Sequence, residues 1–467
     1  MTKAEFSVLI LAAGKATRFK SARSKLLHPL AGRPLGEYAL RAAAASGAER
    51  VYMVVGHQAG EVRQAFARPG LTFIEQKEQL GTGHALMVAR AELERSTSAH
   101  LMVLVGDVPL ISPGTLTGLV DFHRRRRAAA TILSVCLDQP QGYGRIVRGR
   151  DGRVRKIAEE KAASAAERRI REVSAGILCF SRPKLLASLD LLTADNPQRE
   201  YLLTDLVGIL ARRRGRVEAA PAADPREVLG VNDRAELAAA EGILRLRKAG
   251  ALMREGVTIV HPEVTYIDDA VAVGCDTVIE PGVSLRGATR VGRDCLVRAY
   301  CTLTDATLGD RVTVRPCSVI TSSQVGSDTI LGPFAHVRDG SVMEPGSRIG
   351  NFVEVKKSRI GRGTKAWHLT YLGDAELGER VNIGAGTVTC NYDGENKSPT
   401  YLEDDVFVGS GTMLVAPVRV GRGSYVAAGS TITEDVPPES LALGRARQVV
   451  KAGWAAAKKR KPAKSAQ

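Results

Sequence analysis

The sequence lacks several features that mark common protein classes. Its seven cysteines include no C-x-x-C pair and are scattered, which argues against structural zinc and disulfides and favours reduced thiols in a cytoplasmic protein. No stretch approaches the ~18 consecutive apolar residues of a membrane span. The apolar run 6–13 is short and leads into a charged loop, so it predicts a buried first strand rather than a signal peptide. At 467 residues, the chain is expected to form two or more domains.

The C-terminal residues include no acidic side chain to balance their basic ones. The net charge is +16, and residues 446–467 hold seven basic residues and no acid, which leaves +9 for the rest of the chain. This composition predicts a solvated tail, not a specific nucleic-acid site. The run "HRRRR", 123–127, is likewise predicted to be a solvated helix end.

The first loop lacks the glycines of the common phosphate-binding motifs. In "LILAAGKATRFKSARSK", 9–25, neither G-x-G-x-x-G nor G-x-x-x-x-G-K-[ST] fits the single Gly14. Small residues and basic side chains are present instead, so an anion must be held in another way. The basic residues are Lys15, Arg18, Lys20, Arg23 and Lys25.

The first half of the chain alternates strand and helix patterns. The β-rich runs "VYMVVG", "HLMVLVGD" and "ATILSVCL" are separated by helix-like segments such as "GEYALRAAAASG", which predicts an α/β domain with a mostly parallel sheet and helices on both faces. Ligands collect at the carboxyl ends of such strands. The first loop lies there, and so does Asp107, although an aspartate at a strand end is often only a turn former or helix cap.

The periodicity changes after an alanine-rich segment. Residues 233–256 contain no proline and have apolar residues at helical spacing, which predicts a connecting helix. From Val273 an aliphatic residue recurs at every sixth position, and the frame returns at 331–354 and 420–431. A repeat of six residues is typical of a parallel β-helix.

Together the two halves resemble the bifunctional N-acetylglucosamine-1-phosphate uridyltransferase and glucosamine-1-phosphate acetyltransferase family of bacteria. The motifs "LAAGKATR", "GTGHA", "GDVPL", "GYGRI", "GVNDR", "NFVEVKK", "HLTYLGDAE" and "NIGAGTVTCNYDG" carry the resemblance, the last three most specifically. It implies a Rossmann-like nucleotidyltransferase domain, a left-handed β-helix and a homotrimer. We therefore predict a uridyltransferase domain at 1–232, a linker helix at 233–256, an acetyltransferase domain at 257–445 and a basic tail at 446–467.

The resemblance implies that the first domain binds UTP and Mg²⁺. Asp107 and Asn232 would hold the cation, and the phosphate of N-acetylglucosamine 1-phosphate would attack the α-phosphorus of UTP and release pyrophosphate. Ala16 stands where the family has glycine, which requires an ordinary φ at this position. Ser174 stands where the family has asparagine. The residues expected to contact UTP or the UDP-sugar are Leu11, Ala12, Ala13, Gly14, Arg18, Lys25, Gln76, Gly81, Thr82, Gly142, Glu159, Ser174 and Asn232.

The resemblance implies that the second domain transfers an acetyl group from acetyl-CoA to glucosamine 1-phosphate. His368 in "KAWHLTYLGD" would be the general base, because the attacking ammonium must lose a proton; a lone histidine is otherwise more often structural. The neighbouring Trp367 is expected to face outward or a subunit boundary. Glucosamine 1-phosphate is expected at Arg338, Lys356, Tyr371 and Asn382, and acetyl-CoA at Ala385, Asn391, Tyr392, Ser410, Ala428 and Arg445.

Two other functions are compatible with the same plan. One is a single-activity sugar nucleotidyltransferase whose β-helix is regulatory, and the other is a nonenzymatic scaffold with the same two domains. Neither predicts His368 together with Asn391 and Tyr392, and a scaffold has no need of the Asp107 and Asn232 pair. The bifunctional enzyme, which makes the cell-envelope precursor UDP-N-acetylglucosamine, is therefore preferred.

Overall fold

The chain divides into two compact units, one ending at Arg247 and the other beginning at Lys248. A computed structural model describes residues 6–459. Within this range no helix is long and apolar enough to cross a membrane. The predicted tail from 446 continues past Lys459, so its last eight residues lie outside the described residues.

From residue 6 on, the first unit contains eleven strands and eight complete α-helices, and a ninth helix, α9, begins in it and continues past Arg247. The strands are β1 Phe6–Ala12, β2 Pro29–Leu30, β3 Arg33–Pro34, β4 Val51–Val55, β5 Leu71–Glu75, β6 His100–Val105, β7 Ala130–Cys136, β8 Arg145–Arg148, β9 Val154–Ala158, β10 Glu172–Ser181 and β11 Val217–Pro221. The helices are α1 Leu35–Ala45, α2 Ala59–Phe66, α3 Thr82–Val88, α4 Arg90–Arg95, α5 Pro113–Arg126, α6 Ala165–Arg168, α7 Arg182–Leu186, α8 Asp205–Arg212 and α9 Arg234–Arg254.

The main sheet has the order β11-β7-β10-β6-β1-β4-β5, with β8 and β9 attached beside β10. Strands β6, β1, β4 and β5 run parallel to one another, as do β7 and β11, while β10 runs antiparallel to both of its neighbours. Both faces of the sheet are buried in apolar clusters. The predicted mostly parallel α/β domain is confirmed.

The charged run "HRRRR", 123–127, is a solvated helix end only in part. The four arginines of "HRRRR" are exposed at the end of α5, but His123 is fully buried. Its Nδ1 lies 2.8 Å from Oγ1 of Thr131, and its ring meets that of His100 edge to face at 5.0 Å. Helical spacing directs His123 inward, and burial, with lesser repulsion from His100 and Lys184, lowers its pKa from 6.5 to about 3. The prediction of a wholly solvated helix end was therefore wrong for this residue.

The second unit is a parallel β-helix with three faces. The first face consists of Thr258–Ile259, Val278–Ile279, Leu296–Val297, Thr313–Val314, Ile330–Leu331, Arg348–Lys356, Lys365–Gly373, Asn382–Ile383, Phe407–Val408, Tyr425–Val426 and Leu441–Ala442. The second consists of Tyr266–Ile267, Ser284–Arg286, Thr302–Thr304, Val319–Thr321, His336–Arg338, the later parts of Arg348–Lys356 and Lys365–Gly373, Val388–Cys390, Met413–Val415 and Thr431–Ile432. The third consists of Ala272–Val273, Arg290–Val291, Thr307–Leu308, Gln324–Val325, Val342–Met343, Arg359–Ile360, Ala375–Leu377, Thr400–Leu402 and Val418–Val420.

The six-residue repeat creates this coil because each sixth side chain points inward. Ile267, Val273, Ile279, Leu285 and Val291 follow one another at that spacing, and all are buried in one continuous core. A short helix, α10 at Trp454–Lys459, follows the last coil and is fully exposed.

Candidate active sites

A cleft of about 520 Å³ opens at the carboxyl ends of the parallel strands in the first unit. The first loop follows β1, and Asp107 follows β6, which lies beside β1 with Leu11 opposite Val105. Neighbouring parallel strands thus deliver both segments to one edge of the sheet. The sequence-predicted residues that line the cleft are Leu11, Ala12, Ala13, Gly14, Lys25, Gln76, Gly81, Thr82 and Asp107.

Gln76 and Gly81 are held together on one wall of the cleft. The side chain of Gln76 is 3 % exposed, and its Nε2 donates to the carbonyl oxygen of Gly81 at 3.0 Å. Gly81 has a φ of 109°, and a Cβ there would lie 2.4 Å from the carbonyl oxygen of Tyr201, so only glycine fits. Thr82 begins α3, and its Oγ1 accepts from the backbone N–H of Leu203 at 3.0 Å. This wall is therefore fixed by contacts on both sides.

Asp107 and Asn232 lie side by side although 125 residues separate them in the sequence. The N–H of Val231 donates to the backbone oxygen of Asp107 at 2.9 Å, which brings the next residue, Asn232, to the same edge. Each side chain already faces a cation: Lys25 Nζ donates to Oδ2 of Asp107, and Arg18 donates to Oδ1 of Asn232 at 2.9 Å. The arrangement favours positive charge at both oxygens.

One carboxylate and one amide oxygen fit Mg²⁺, which usually keeps water and substrate phosphates as its other ligands. Within residues 6–459 no cluster of three or more histidine, cysteine or acidic side chains could form an all-protein metal cage. Asp107 and Asn232 therefore remain the predicted ligands of a cation that would take its other ligands from water and substrate.

The backbone at Ala16 does not meet the expectation of an ordinary φ. Ala16 has φ 48° and ψ 45°, and Lys20 has φ 48°, so left-handed residues flank the short 3₁₀ turn Thr17–Phe19. Phe19 is buried and its ring packs at a 45° tilt against that of His28, with ring centroids 4.6 Å apart, which anchors the turn. The prediction for Ala16 was therefore wrong: the fold keeps the glycine-type conformation and places a Cβ in it, at a typical cost of ~1–2 kcal/mol.

The three predicted sugar contacts form a separate group beside the cleft. The N–H of Ser174 donates to the backbone oxygen of Gly144 at 2.8 Å, and a Cβ on Gly144 would lie 3.7 Å from Oε1 of Glu159. Ser174 is buried and Gly142 is exposed. Glu159 accepts a hydrogen bond from Thr204 Oγ1 at 2.7 Å. The cleft wall itself does not include these residues, Arg18 or Asn232.

Sequence reasoning passed over the pair that shapes this sugar-side loop. Arg145, from the quoted "GYGRI" motif, is 1 % exposed and forms an ion pair with Oε2 of Glu160 at 2.7 Å. The same oxygen accepts the N–H of Gly142 at 3.3 Å. The hydrogen bond from Arg145 lowers the pKa of Glu160, which keeps the carboxylate charged. The burial of Arg145 is what distinguishes it from the other arginines, and burial of an arginine cannot be predicted from the sequence.

In the second unit, His368 lies in a column of residues along one corner of the β-helix. Asn351 is in register with His368, and three backbone hydrogen bonds continue the column to later coils: Gly386 N–H to Leu369, Gly411 N–H to Ala385 and Gly429 N–H to Ser410. The last contact is from Arg445, whose guanidinium donates to the oxygen of Ala428 at 2.8 Å. The structure thus aligns His368, Ala385, Ser410, Ala428 and Arg445.

His368 is exposed, and its Nδ1 lies 3.2 Å from Oδ1 of Asn351. If Nδ1 carries the proton donated to that oxygen, Nε2 keeps a free lone pair. Trp367 is half-buried, and its ring lies under the guanidinium of Arg315 at 5.7 Å. The residues directly after Ala385, Ser410 and Ala428 are Gly386, Gly411 and Gly429. Because they are glycines, this part of the corner carries no side chains.

A group of cations occupies the second face. Arg338 is in register with Lys356, and the carboxylate of Glu354 accepts from Arg338 Nε at 2.9 Å, which raises the pKa of the guanidinium. Lys356 Nζ lies 3.5 Å from Oδ2 of Asp374. Tyr371, in register with Glu354, belongs to the same face. Arg338, Lys356 and Tyr371, three of the residues predicted to bind glucosamine 1-phosphate, therefore lie on one face.

Two residues in this group were not predicted. Asp374 accepts from both Lys356 and Nδ2 of Asn391, which is 7 % exposed. Lys397 forms a hydrogen bond with Lys356 that raises the pKa of Lys356 and, with the charge repulsion between them, lowers the pKa of Lys397. Asp374 and Lys397 also line a second cavity, of about 400 Å³. Asp374 could have been found in the quoted "HLTYLGDAE" motif, whereas Lys397 lies in a loop that interrupts the repeat.

The remaining predicted residues do not join these two groups. Asn382 lies on the first face, in register with Lys365. Tyr392 is 59 % exposed, and its hydroxyl donates to the backbone oxygen of Gly394 within the loop. A single chain therefore distributes the predicted acetyl-transfer residues over a corner, two faces and a loop.

Comparisons with known proteins agree with this two-part architecture. Residues 8–204 match the MobA-like NTP transferase domain, and residues 399–434 match the bacterial transferase hexapeptide model of six repeats. The bifunctional protein GlmU of Koribacter versatilis is 48 % identical, with 98 % of each chain covered. The chain belongs to the bifunctional GlmU family. Homologues from Syntrophotalea carbinolica (50 % identical; 96 % of this chain and 97 % of the relative) and Brevibacillus brevis (46 %; 96 % of each) bear the same name.

Membership of the bifunctional GlmU family confirms the enzyme class predicted from the motifs. The chain is a bifunctional transferase, with a nucleotidyltransferase domain and a hexapeptide acyltransferase domain of the left-handed β-helix class. Its activity is the synthesis of UDP-N-acetylglucosamine by acetyl and uridyl transfer. Nucleotide-sugar substrates and a divalent metal are typical of such NTP transferases. The single-activity and scaffold alternatives are set aside.

Proposed function

We propose that the first unit carries uridyl transfer from UTP with Mg²⁺, and that the second carries acetyl transfer from acetyl-CoA around His368. The observation that carries this assignment is the pairing of Asp107 and Asn232 with Lys25 and Arg18 at the cleft. Two oxygens with adjacent cations suit a metal and a triphosphate that arrive together. Nothing comparable surrounds His368, whose neighbours suit a thioester and an amine.

In the cleft, the protein would bind and orient the phosphates rather than form a covalent intermediate. Arg18 and Lys25 are already beside the metal-ligand oxygens, so a short movement of either cation would release an oxygen and supply a phosphate contact. Bound Mg²⁺ would supply stabilisation of the charge on the phosphates. The sugar phosphate oxygen forms a bond to the α-phosphorus as the α–β bridge breaks and pyrophosphate leaves. Lys25 and Arg18 would stabilise the negative charge that grows on the departing group.

On the uracil and sugar side, the fixed wall would provide specificity. Gln76 presents a buried amide held by Gly81, which suits recognition of a base edge. Glu159 and the loop at Gly142 would contact the N-acetylglucosamine moiety, and the pair formed by Arg145 and Glu160 would hold that loop. Ser174 would offer one hydroxyl in place of the amide that the family resemblance implies.

At the corner, His368 would take a proton from the substrate ammonium. The freed amine attacks the thioester carbonyl carbon, the carbon–sulfur bond breaks, and the thiolate of CoA leaves. Asn351 would hold the imidazole so that Nε2 faces the amine. The strip of small residues at Ala385, Ser410 and Ala428 would admit the extended cofactor close to the backbone, with Arg445 at its end. Arg338, Lys356 and Lys397 would hold the phosphate of glucosamine 1-phosphate.

We propose a homotrimer because one chain does not gather its acetyl-transfer residues. The same corner also carries a row of exposed apolar side chains along the β-helix. Tyr300, Phe334, Phe352 and Leu369 are each at least half exposed, and the rings of Phe334 and Phe352 stack at 5.3 Å. Burial of such a row against a second copy would be favourable at ~25 cal/mol per Å². It would also bring Asn382, or the loop at Asn391–Tyr392, of one copy to His368 of another. The seven free cysteines support a cytoplasmic location.

An omission experiment tests the assignment. Purified protein is incubated with glucosamine 1-phosphate, acetyl-CoA, UTP and Mg²⁺, and each component is left out in turn. Omission of acetyl-CoA should stop product formation from glucosamine 1-phosphate but not from N-acetylglucosamine 1-phosphate, and chelation of Mg²⁺ should stop uridyl transfer alone. Loss of acetyl transfer on Mg²⁺ chelation would contradict the division of labour, and a monomeric mass in solution would contradict the trimer.

A further inference from the structure

Two arginine runs that are far apart in the sequence meet at one edge of the first unit. The first run is 124–127 at the end of α5, and the second is 212–214 with Arg216 at the end of α8. The N–H of Ala129 donates to the backbone oxygen of Arg216 at 2.7 Å, and a Cβ on Gly215 would lie 2.9 Å from Cβ of Ala129. Both runs immediately precede paired strands, because Ala130 of β7 is opposite Val217 of β11.

A third segment adds to this surface. The N–H of Ser181, at the end of β10, donates to the oxygen of Ala129 at 3.0 Å, and Lys184 follows three residues later, close enough to lower the pKa of buried His123. We call the whole surface the arginine patch. Its members are Arg124, Arg125, Arg126, Arg127, Lys184, Arg212, Arg213, Arg214 and Arg216.

The patch carries much more positive than negative charge. Arg216 forms an ion pair with Glu218 at 2.6 Å, but Arg213 donates to the backbone oxygen of Ala187, and Arg126 lies over the ring of Phe122. A carbonyl oxygen and a ring orient a guanidinium without cancelling its charge. Cations are favourable at helix C-termini, but placing two such clusters side by side brings like charges together. The fold therefore presents a strong field of one sign.

The position of the patch leaves the cleft free. Strands β6, β7 and β11 begin at this edge, and antiparallel β10 ends there, with Ser181 opposite His100. The cleft lies at the opposite edge, where β1, β4 and β6 end. A partner bound to the arginine patch would therefore leave the nucleotide entrance of the same unit open.

The geometry points to an anionic phospholipid surface as the partner of the arginine patch. Guanidinium groups match phosphate oxygens in a two-pronged geometry, and each Lys or Arg close to an anionic leaflet contributes about 1 kcal/mol of attraction. Proteins that bind single-stranded nucleic acid add aromatic platforms to a basic groove, and neither arginine run contains a Phe, Tyr or Trp. The C-terminal ends of α5 and α8 present their arginines side by side, which suits binding to a flat layer of phosphates. Adsorption by charge alone requires no membrane-spanning helix.

Vesicle binding tests this inference with the full-length protein. Vesicles of phosphatidylglycerol mixed with phosphatidylcholine should sediment the protein at ~0.05 M salt and release it at ~0.5 M, because the screening length falls about threefold. Vesicles of phosphatidylcholine alone should not bind. The double variant Arg125→Glu/Arg214→Glu should partition at least ~30-fold less, from the loss of two such attractions.

Two controls make the result specific. Arg150→Glu/Arg169→Glu changes the net charge equally at exposed residues that contribute nothing to the patch, and it should keep wild-type partitioning within about threefold. Both variants should retain uridyl transfer, which shows that they are folded. Equal weakening by the two variants would overturn the inference. So would binding that survives in the patch variant but is lost when residues after Trp454 are removed, or binding to polyuridylate with none to the vesicles.

Discussion

The two predicted sites differ in how much of each a single chain provides. The cleft is walled by segments of one unit, and the predicted metal ligands Asp107 and Asn232 already face Lys25 and Arg18. The acetyl-transfer residues lie on an exposed corner, two faces and a loop. A parallel sheet gathers loops at one edge, whereas a β-helix repeats equivalent positions along a line. Convergence is therefore built into the first unit, whereas in the second the proposed trimer would have to supply it.

The first and largest expected effect separates the two sites through His368. His368→Ala should lower acetyl transfer by ~10²–10⁴-fold, the usual contribution of a positioned general base. Uridyl transfer from supplied N-acetylglucosamine 1-phosphate should be unchanged, because the cleft contains no part of this residue. Initial rates of both reactions measure the difference. His336→Ala, at an exposed histidine two coils earlier, is the matched control; a wild-type acetylation rate in the His368 variant would make His368 structural.

The reciprocal change is at Asp107, which we propose as a metal ligand. Asp107→Asn should lower uridyl transfer by ~100-fold or more, because a bound metal contributes several kcal/mol of charge stabilisation. Acetyl transfer should remain close to wild type. Mn²⁺ affinity, followed by calorimetry in the presence of UTP, should fall in parallel, whereas the exposed control Asp121→Asn should leave it unaltered. Equal loss of both activities in folded Asp107→Asn protein would contradict the assignment of uridyl and acetyl transfer to two independent sites.

Acid sensitivity should be stronger in the first unit than in the β-helix. His123 has a folded pKa of about 3 against 6.5 when solvated, so the folded state favours the neutral ring. The stabilisation from this group is fully present above pH 6.5 and is lost progressively as pH falls toward 3. Between pH 7 and pH 5 this amounts to ~2 kcal/mol, at ~1.4 kcal/mol per pKa unit.

Urea unfolding at the two pH values measures that loss. His123→Gln should unfold with a smaller difference between pH 7 and pH 5 than the wild type, although it should be less stable at pH 7 because the buried packing changes. His261→Gln, at a half-exposed histidine of the second unit, should keep the wild-type difference. An unchanged pH dependence in the His123 variant would show that another group is responsible.

The smallest expected effect concerns Ala16. Ala16→Gly should relieve a left-handed φ of 48°, which typically costs an alanine ~1–2 kcal/mol, against ~0.4–1 kcal/mol of added unfolded-state freedom. The KM for UTP should therefore fall by about threefold at most, roughly 0.65 kcal/mol. Ala67→Gly, at an exposed residue with φ −56°, should leave this KM unaltered. A rise in KM for UTP in the Ala16 variant would show that the alanine holds the loop in its productive form.

Local patterns in the sequence were sufficient for both fold classes. The six-residue spacing from Val273 predicts the β-helix because one side chain in every six must point into its narrow core, and the structure buries those positions. The strand-and-loop alternation predicts the sheet edge at which Gly14, Lys25 and Asp107 line one cleft. Such patterns depend on neighbours in sequence, so they can be recognised without a structure.

What the tertiary structure decided depends on contacts between distant segments. The pairing of Arg18 with Asn232 and the burial of Arg145 and His123 each require packing that sequence spacing does not encode. The same is true of Ala16, whose left-handed φ is not the preference of an alanine and precedes a turn that Phe19 packs against His28. The arginine patch arises only because β7 and β11 are neighbours in the sheet. Sequence determined which residues face inward and where strands end; folding decided which charges meet, because long-range strand pairing sets those distances.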